Sequence, residues 1–173
     1  MLIEDSGYPH RPEDVVLIPE ALALVPAANA RGVAVGIVTN QSGIGRGLFD
    51  WPAFSSVQVL IDKAVQALGG HIDFVLACPY HADAAVLRYR REAHDWRKPA
   101  PGMIAASAHE LGLDLARSCM VGDRISDMEA AAAAGIPHRL LVGNADRVDQ
   151  GDVHCTPVPR SGLAAALAQS FSA

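Results

Sequence analysis

The stretch Gly32-Val-Ala-Val-Gly-Ile-Val-Thr-Asn-Gln-Ser-Gly-Ile-Gly-Arg-Gly47 decides how the rest of the chain is read. Its apolar, β-branched run from Val33 to Val38 predicts a buried strand. The run breaks at once into Thr39, Asn40, Gln41 and Ser42, then into Gly43, Gly45 and Gly47 around Arg46. Hydroxyl, amide and backbone N–H groups gathered in one turn suit an anion, with the Arg46 guanidinium in reach. In open parallel sheets, chemistry sits at the carboxyl ends of strands, which is where this turn lies. Taken alone, the stretch reads equally well as an ordinary strand-to-helix turn that needs glycine.

Upstream, residues 5–19 are loop-like, broken by Gly7, Pro9, Pro12 and Pro19. Glu20 to Arg31 reads as a helix that stops at Gly32 and is kinked or shortened by Pro26. Downstream, Asp50 is a candidate N-cap with Pro52 in the first turn. Val57, Leu60, Ile61, Ala64, Val65 and Leu68 recur at helical steps up to Gly69-Gly70. Asp73 to Ala77 predicts a short strand entering Cys78-Pro79, and residues 78–97 are irregular and rich in charge and histidine. Then come a helix from Pro101 to Leu111, a strand from Ser118 to Val121, and an Ala-rich helix from Asp127 to Ala134 capped by Ser126. Arg139 to Val142 predicts the last strand and Ser161 to Phe171 the last helix. Strands alternating with helices imply an α/β fold, a Rossmann-like, doubly wound parallel sheet. Its 173 residues suffice for one such domain with a core of its own.

Composition narrows the class of function. Half of the residues are apolar and 19% are charged, so the chain is not a disordered tail. The formal charge is −5, with no basic block or interleaved basic and aromatic stripe, which argues against nucleic acid as a partner. No apolar run is long enough for a bilayer, and the acidic N-terminus is no secretory signal. A cytoplasmic monomer without membrane contact is the expectation. Cys78, Cys119 and Cys155 are odd in number and widely spaced, so a disulfide framework is not expected.

Two further loops carry chemistry. In Arg97-Lys98-Pro99-Ala100-Pro101-Gly102, Lys98 can neutralise a phosphate as a point charge, and Arg97 can grip it bidentately. In Val121-Gly122-Asp123-Arg124-Ile125-Ser126-Asp127, the Asp at a strand tip suits Mg²⁺, a hard cation that prefers oxygen. Asp127 can hold Lys98 or stand behind the metal ligands. A solvated ion pair and an acid favoured at a helix N-terminus are the plainer accounts of the two loops.

Together the three segments resemble one family. Thr39-Asn-Gln-Ser-Gly-Ile-Gly-Arg-Gly47, Arg97-Lys-Pro99 and Gly122-Asp-Arg-Ile-Ser-Asp-Met128 look like the motifs of haloacid-dehalogenase-type (HAD-like) phosphatases. The similarity is to the branch holding histidinol-phosphate phosphatase and D-glycero-D-manno-heptose 1,7-bisphosphate 7-phosphatase, and Tyr8-Pro9-His10 is similar to that branch too. The resemblance implies a HAD-like fold without a large cap domain. It also implies Mg²⁺-dependent hydrolysis of a small phosphorylated metabolite, a sugar bisphosphate or histidinol phosphate, through an aspartyl-phosphate. By match, Thr39 and Asn40 orient the phosphoryl group and Lys98 balances its charge. Ser42, Arg46 and Arg97 bind substrate, Asp123 holds Mg²⁺, and Asp127 supports it from behind.

The sequence departs from that family in two places. The family's first, central strand ends in Asp-x-Asp, whose first Asp is the nucleophile and second the acid/base. The 173 residues begin at Met1 where the residue after that motif and its Gly falls, so the domain is expected to be N-terminally truncated and close to inactive. Losing a strand between neighbours about 4.8 Å apart leaves a gap of about 10 Å and a poorly stable sheet. A mis-assigned start codon is the preferred explanation, and a phosphate-binding pseudophosphatase is the alternative. Second, many members bind zinc through Cys-x-His and Cys-x-Cys. Here Cys78 remains, but Tyr80, His94 and Trp96 occupy the other positions. Zinc is therefore not expected; Cys78, His81 and His94, with Asp95, are the residual candidates, and packing of Trp96 and Tyr80 is expected to hold the loop.

Overall fold

The computed structural model describes residues 1–143 and 153–171. The chain divides into two compact units, Met1–His94 and Asp95–Ala173.

In the first unit, α1 (Pro19–Leu22) and α2 (Leu24–Asn29) precede β1 (Gly36–Asn40) and the one-turn helix α3 (Ser42–Gly45). Helix α4 (Trp51–Ala67) and strand β2 (Phe74–Cys78) follow. Strands β1 and β2 pair in parallel, from Gly36 opposite Phe74 to Asn40 opposite Cys78. The Asp50 carboxylate accepts from the Ala53 N–H at 3.0 Å and starts α4 as its N-cap. One stripe of α4, Val57, Ile61 and Val65, packs with Leu22 and Val25 to form the core. Val65 is fully buried, a placement that contributes about 1.5–3 kcal/mol. Leu2, Ile3, Val15 and Leu17 close over this core, and Ile3 bridges Leu17 in antiparallel sense.

In the second unit, α5 (Gly102–Leu111), β3 (Cys119–Gly122), α6 (Ile125–Ala133), β4 (His138–Val142), β5 (Thr156–Val158) and α7 (Leu163–Ser170) succeed one another. The strands run parallel in the order β3-β4-β5. Met103, Met128, Leu140, Leu141, Leu163 and Leu167 are buried. Among the described residues every ladder is parallel, and helices separate most of the strands, so the α/β class is the observed one.

The structure corrects several boundaries. The first strand is not Val33–Val38 but Gly36–Asn40. Asp73 explains the late start: its carboxylate accepts from the Val35 N–H at 2.7 Å and its own N–H donates to the Val35 carbonyl at 2.8 Å. The strand therefore carries Thr39 and Asn40 within it. The helix placed over Glu20–Arg31 is two pieces divided at Ala23, because Pro26 has no N–H to return to Leu22. Leu68, assigned to the apolar stripe of α4, is half exposed beyond its last turn. Ser126 does not cap α6; Arg124 is the N-cap, and the Asp127 carboxylate accepts its N–H at 3.1 Å. The last helix begins at Leu163, after a 3-10 turn over Arg160–Gly162. Strand β5 went unforeseen because Pro157 sits in its middle, a residue that sheets accept at an edge.

Candidate active site

The glycine-rich turn after β1 is built by close backbone approach. Gly45 lies so near the Pro79 carbonyl that a Cβ there would overlap it, and the Gly45 carbonyl accepts from the Val86 N–H at 2.9 Å. The start of the 78–97 segment is thus docked directly on the turn. Tyr8 and Phe49 flank Gly43, where an added Cβ would meet Tyr8 at 2.9 Å, and the His10 ring stacks on Phe49 at 5.5 Å. These contacts give the early Tyr8-Pro9-His10 segment its place against the loop. An open cleft of about 590 Å³ is lined here by Arg11, Phe49, Trp51, Arg88 and Tyr89, among others.

Thr39 and Asn40 end β1, half buried, and the Gln41 amide donates to Thr39 Oγ1 at 3.2 Å. Ser42 opens α3, and its carbonyl accepts from the Arg46 N–H at 2.8 Å. Arg46 Nη2 lies against the His81 ring, 3.1 Å from Nε2 and 3.5 Å from Nδ1, and donates to Asp83 Oδ2 at 3.4 Å. Its Nε is buried without any hydrogen-bond acceptor. A buried donor left unsatisfied costs about 1–3 kcal/mol, so an anion at this atom would relieve a standing penalty. His81 and Asp83 are the residues that sequence reasoning missed in this role. A histidine facing an arginine from 35 positions away leaves no local signal.

The other residues lie in the second unit. Lys98 follows the half-buried Arg97 and precedes a cis peptide to Pro99. Its Nζ meets Asp127 Oδ1 at 2.6 Å, with both side chains largely buried. Gly122 makes room for that carboxylate, since a Cβ there would stand 2.5 Å from Asp127 Cβ and Oδ2. Asp123 comes next in the chain, half buried at the tip of β3. Of the two functions considered for Asp127, the structure gives it the pairing with Lys98 and the N–H of Arg124.

The donor set bears on the metal. Among the described residues no three His, Cys, Asp or Glu side chains cluster. Asp123 offers a hard carboxylate beside the committed Asp127. That suits Mg²⁺, which is commonly held by one or two carboxylates together with phosphate oxygens and water. The residual zinc candidates are placed otherwise. Cys78 is fully buried at the end of β2, His81 faces Arg46 and Asp83, and the His94 ring stacks on Tyr80 at 3.7 Å. Tyr80 also meets Tyr89 edge-on, and Trp51 Nε1 donates to the Tyr89 hydroxyl at 2.8 Å.

Known proteins are similar to this chain in sequence and fold. Residues 95–159 match the HAD-hydrolase-like family model. A D-glycero-beta-D-manno-heptose-1,7-bisphosphate 7-phosphatase of Mesorhizobium japonicum is 42% identical over 147 residues, covering 85% of this chain and 67% of its own length. The enzyme of the same name from Vibrio cholerae is 37% identical, covering 89% and 83%. The crystal structure of D,D-heptose 1,7-bisphosphate phosphatase from B. bronchiseptica, complexed with magnesium and phosphate, superposes with a TM-score of 0.84. It is 29% identical and covers 98% of this chain and 93% of that one. The motifs, the parallel α/β fold and these relatives agree: the chain belongs to the HAD-like phosphatases, in their heptose bisphosphate phosphatase branch.

Proposed function

We propose that this protein binds a sugar bisphosphate, of the heptose 1,7-bisphosphate class, and takes part in Mg²⁺-dependent hydrolysis of one phosphate monoester. The buried, unsatisfied Nε of Arg46 carries the phosphate reading, and the 42% identical relative supports the sugar bisphosphate class. Thr39 and Asn40 would orient the phosphoryl group from the end of β1, and Ser42 and Arg46 would hold its oxygens. Lys98, fixed by Asp127, would balance the negative charge that such transfer spreads over those oxygens, and Arg97 would bind substrate beside it. Asp123 would hold Mg²⁺, which supplies further charge neutralisation when bound. Together with Asp95–Ala173, Met1–His94 is read as one functional domain.

Turnover by this route needs a carboxylate nucleophile, and the 173 residues contain no Asp-x-Asp pair. Removing a nucleophile cost on the order of 10⁶ in rate in a serine protease, taken as analogy. The chain by itself is therefore expected to bind phosphate and turn over very slowly. The test compares it with a version extended through the codons upstream, both assayed with Mg²⁺ on heptose 1,7-bisphosphate and on histidinol phosphate. Release of phosphate from the heptose substrate by the extended form is the expected result. Phosphate binding without activity in both forms would favour a pseudophosphatase, the reading that the missing Asp-x-Asp pair supports. Absence of phosphate binding in both would overturn the assignment.

A further inference from the structure

The cleft beside the glycine-rich turn carries positive charge in an acidic chain. The formal charge of the sequence is −5, yet Arg11 and Arg88 both line this cleft of about 590 Å³, a size common among small-molecule sites. Asp50, the one acid of the lining, is spent on the Ala53 N–H as the N-cap of α4. Neither arginine side chain has an ion pair or a hydrogen-bond acceptor among the described residues. The Arg88 guanidinium lies over the Tyr89 ring, 4.8 Å from its centroid, a cation–π contact that needs no N–H acceptor.

The uncharged groups of the lining are set as well. A carbonyl can only accept, so the contact of His10 Nδ1 with the Tyr8 carbonyl at 2.8 Å places the proton of the neutral ring on Nδ1. Nε2 then carries a lone pair with no partner among the described residues, and the ring is steadied by its stack on Phe49. The Tyr89 hydroxyl accepts from Trp51 Nε1 at 2.8 Å and keeps its own proton to donate. Phosphate oxygens suit the two arginines and the Tyr89 proton, whereas His10 Nε2 requires a donor. A hydroxyl beside the phosphate supplies that donor, and Phe49 and Trp51 offer apolar surface to the carbon skeleton between them. We propose that this cleft is a second anion site, distinct from the Arg46 contacts, which takes a phosphate with a neighbouring hydroxyl, the chemistry of a sugar phosphate. That chemistry has two sources, a free sugar monophosphate or the far end of a bisphosphate also held at Arg46. Only the second source rests on the reading of Arg46 as a phosphate contact.

Glucose 6-phosphate, inorganic phosphate and heptose 1,7-bisphosphate titrated into the 173-residue chain test it. Affinity at the cleft is read from the Trp51 indole N–H signal by NMR, and folding from the thermal midpoint. Glucose 6-phosphate is expected to shift that signal. Arg11→Gln and Arg88→Gln are each expected to weaken its binding by about tenfold, and both residues are exposed, so the core is untouched. His10→Phe keeps a ring on Phe49 but removes Nε2, so it weakens glucose 6-phosphate and spares inorganic phosphate. In Arg46→Ala, glucose 6-phosphate binds the cleft undiminished. Weakening of heptose 1,7-bisphosphate in both Arg46→Ala and Arg88→Gln identifies the bisphosphate as the source, and weakening in Arg46→Ala alone a free monophosphate; both results support the site. An unshifted Trp51 signal, equal binding of unphosphorylated glucose, or unchanged affinity in both arginine variants would each overturn the inference. So would equal losses of both probes in His10→Phe, or loss of glucose 6-phosphate in Arg46→Ala. Unchanged bisphosphate affinity in Arg46→Ala would instead remove the phosphate reading of Arg46 and leave the cleft to the free monophosphate.

Discussion

Lys98 Nζ lies 2.6 Å from Asp127 Oδ1, with side chains 11% and 7% exposed. Asp127 stands one turn into α6, and its second oxygen accepts from the Arg124 N–H, so a single carboxylate starts a helix and holds a lysine. Taking two charges out of water is costly, and the pair persists because contact is direct and the second oxygen is also satisfied. An ammonium held this way is already oriented, which is the condition for electrostatic stabilisation of an anion without reorganisation.

Asp127→Asn separates the two functions. The amide oxygen can still accept from Arg124, while the charge facing Lys98 is gone. Breaking a buried pair by removing one partner costs about 3–5 kcal/mol. Urea unfolding should show a loss near the lower end of that range. Asp127→Ala should lose about a further 1 kcal/mol for the helix start. Equal stability of Asp127→Asn and the parent would show that the ion pair contributes nothing to folding.

Gly122→Ala tests the close approach on the other side of Asp127. The added methyl would meet Asp127 Cβ and Oδ2 at 2.5 Å, below the separation of real side chains, and Asp127 is fixed by two partners. Overpacking of this kind costs about 1–3 kcal/mol. The expected signature is a lower thermal midpoint together with a changed environment at Lys98 Nζ by NMR. A wild-type midpoint would mean that α6 shifts to accept the methyl.

Much of this was legible in the sequence, for identifiable reasons. The stripe Val57, Ile61, Val65 has helical period, and Asp50 with Pro52 marks its start, so α4 was read almost to the residue. The partnership of Lys98 with Asp127 was also anticipated, since both belong to recognisable motifs. Part of what failed was decided by contacts distant in sequence. Asp73 delays β1 by competing for the Val35 N–H, and nothing near Val35 announces it. The loop around Arg46 reads as an anion contact, whereas its neighbour His81 reads only as a metal ligand, because side-chain geometry across a loop has no period to read. Strand β5 was hidden by its own proline.

The 78–97 segment is predicted to keep its shape without metal. Tyr80 and His94 stack at 3.7 Å with ring planes 10° apart, and Tyr89 closes edge-on against Tyr80. An aromatic pair contributes about 0.5–1.5 kcal/mol beyond its buried area. A chelator such as EDTA should leave the thermal midpoint unchanged, and elemental analysis should find zinc well below one per chain. Tyr80→Ala should lower the midpoint and raise proteolytic cleavage between residues 80 and 94. Stoichiometric zinc, or a midpoint that falls with EDTA, would refute this account of the loop.

Cys119 supplies a prediction in pH. Burial in β3 pushes its thiol above the ordinary 9.0, with a hydrogen bond from Ser170 pulling the other way. The folded state therefore resists ionisation, and the unfolded chain loses its proton first as pH rises. Below about pH 9 both states are protonated and the thiol adds no pH dependence. Above it the unfolded state binds fewer protons than the folded one, so stability falls, by up to about 1.4 kcal/mol per pH unit, until the folded pKa is passed. Urea unfolding from pH 8 to 10.5 should show this decline in the parent, and Cys119→Ala should lower the whole curve while flattening its alkaline slope. An alkaline slope identical in both proteins would mean that the thiol ionises as easily in the fold as out of it.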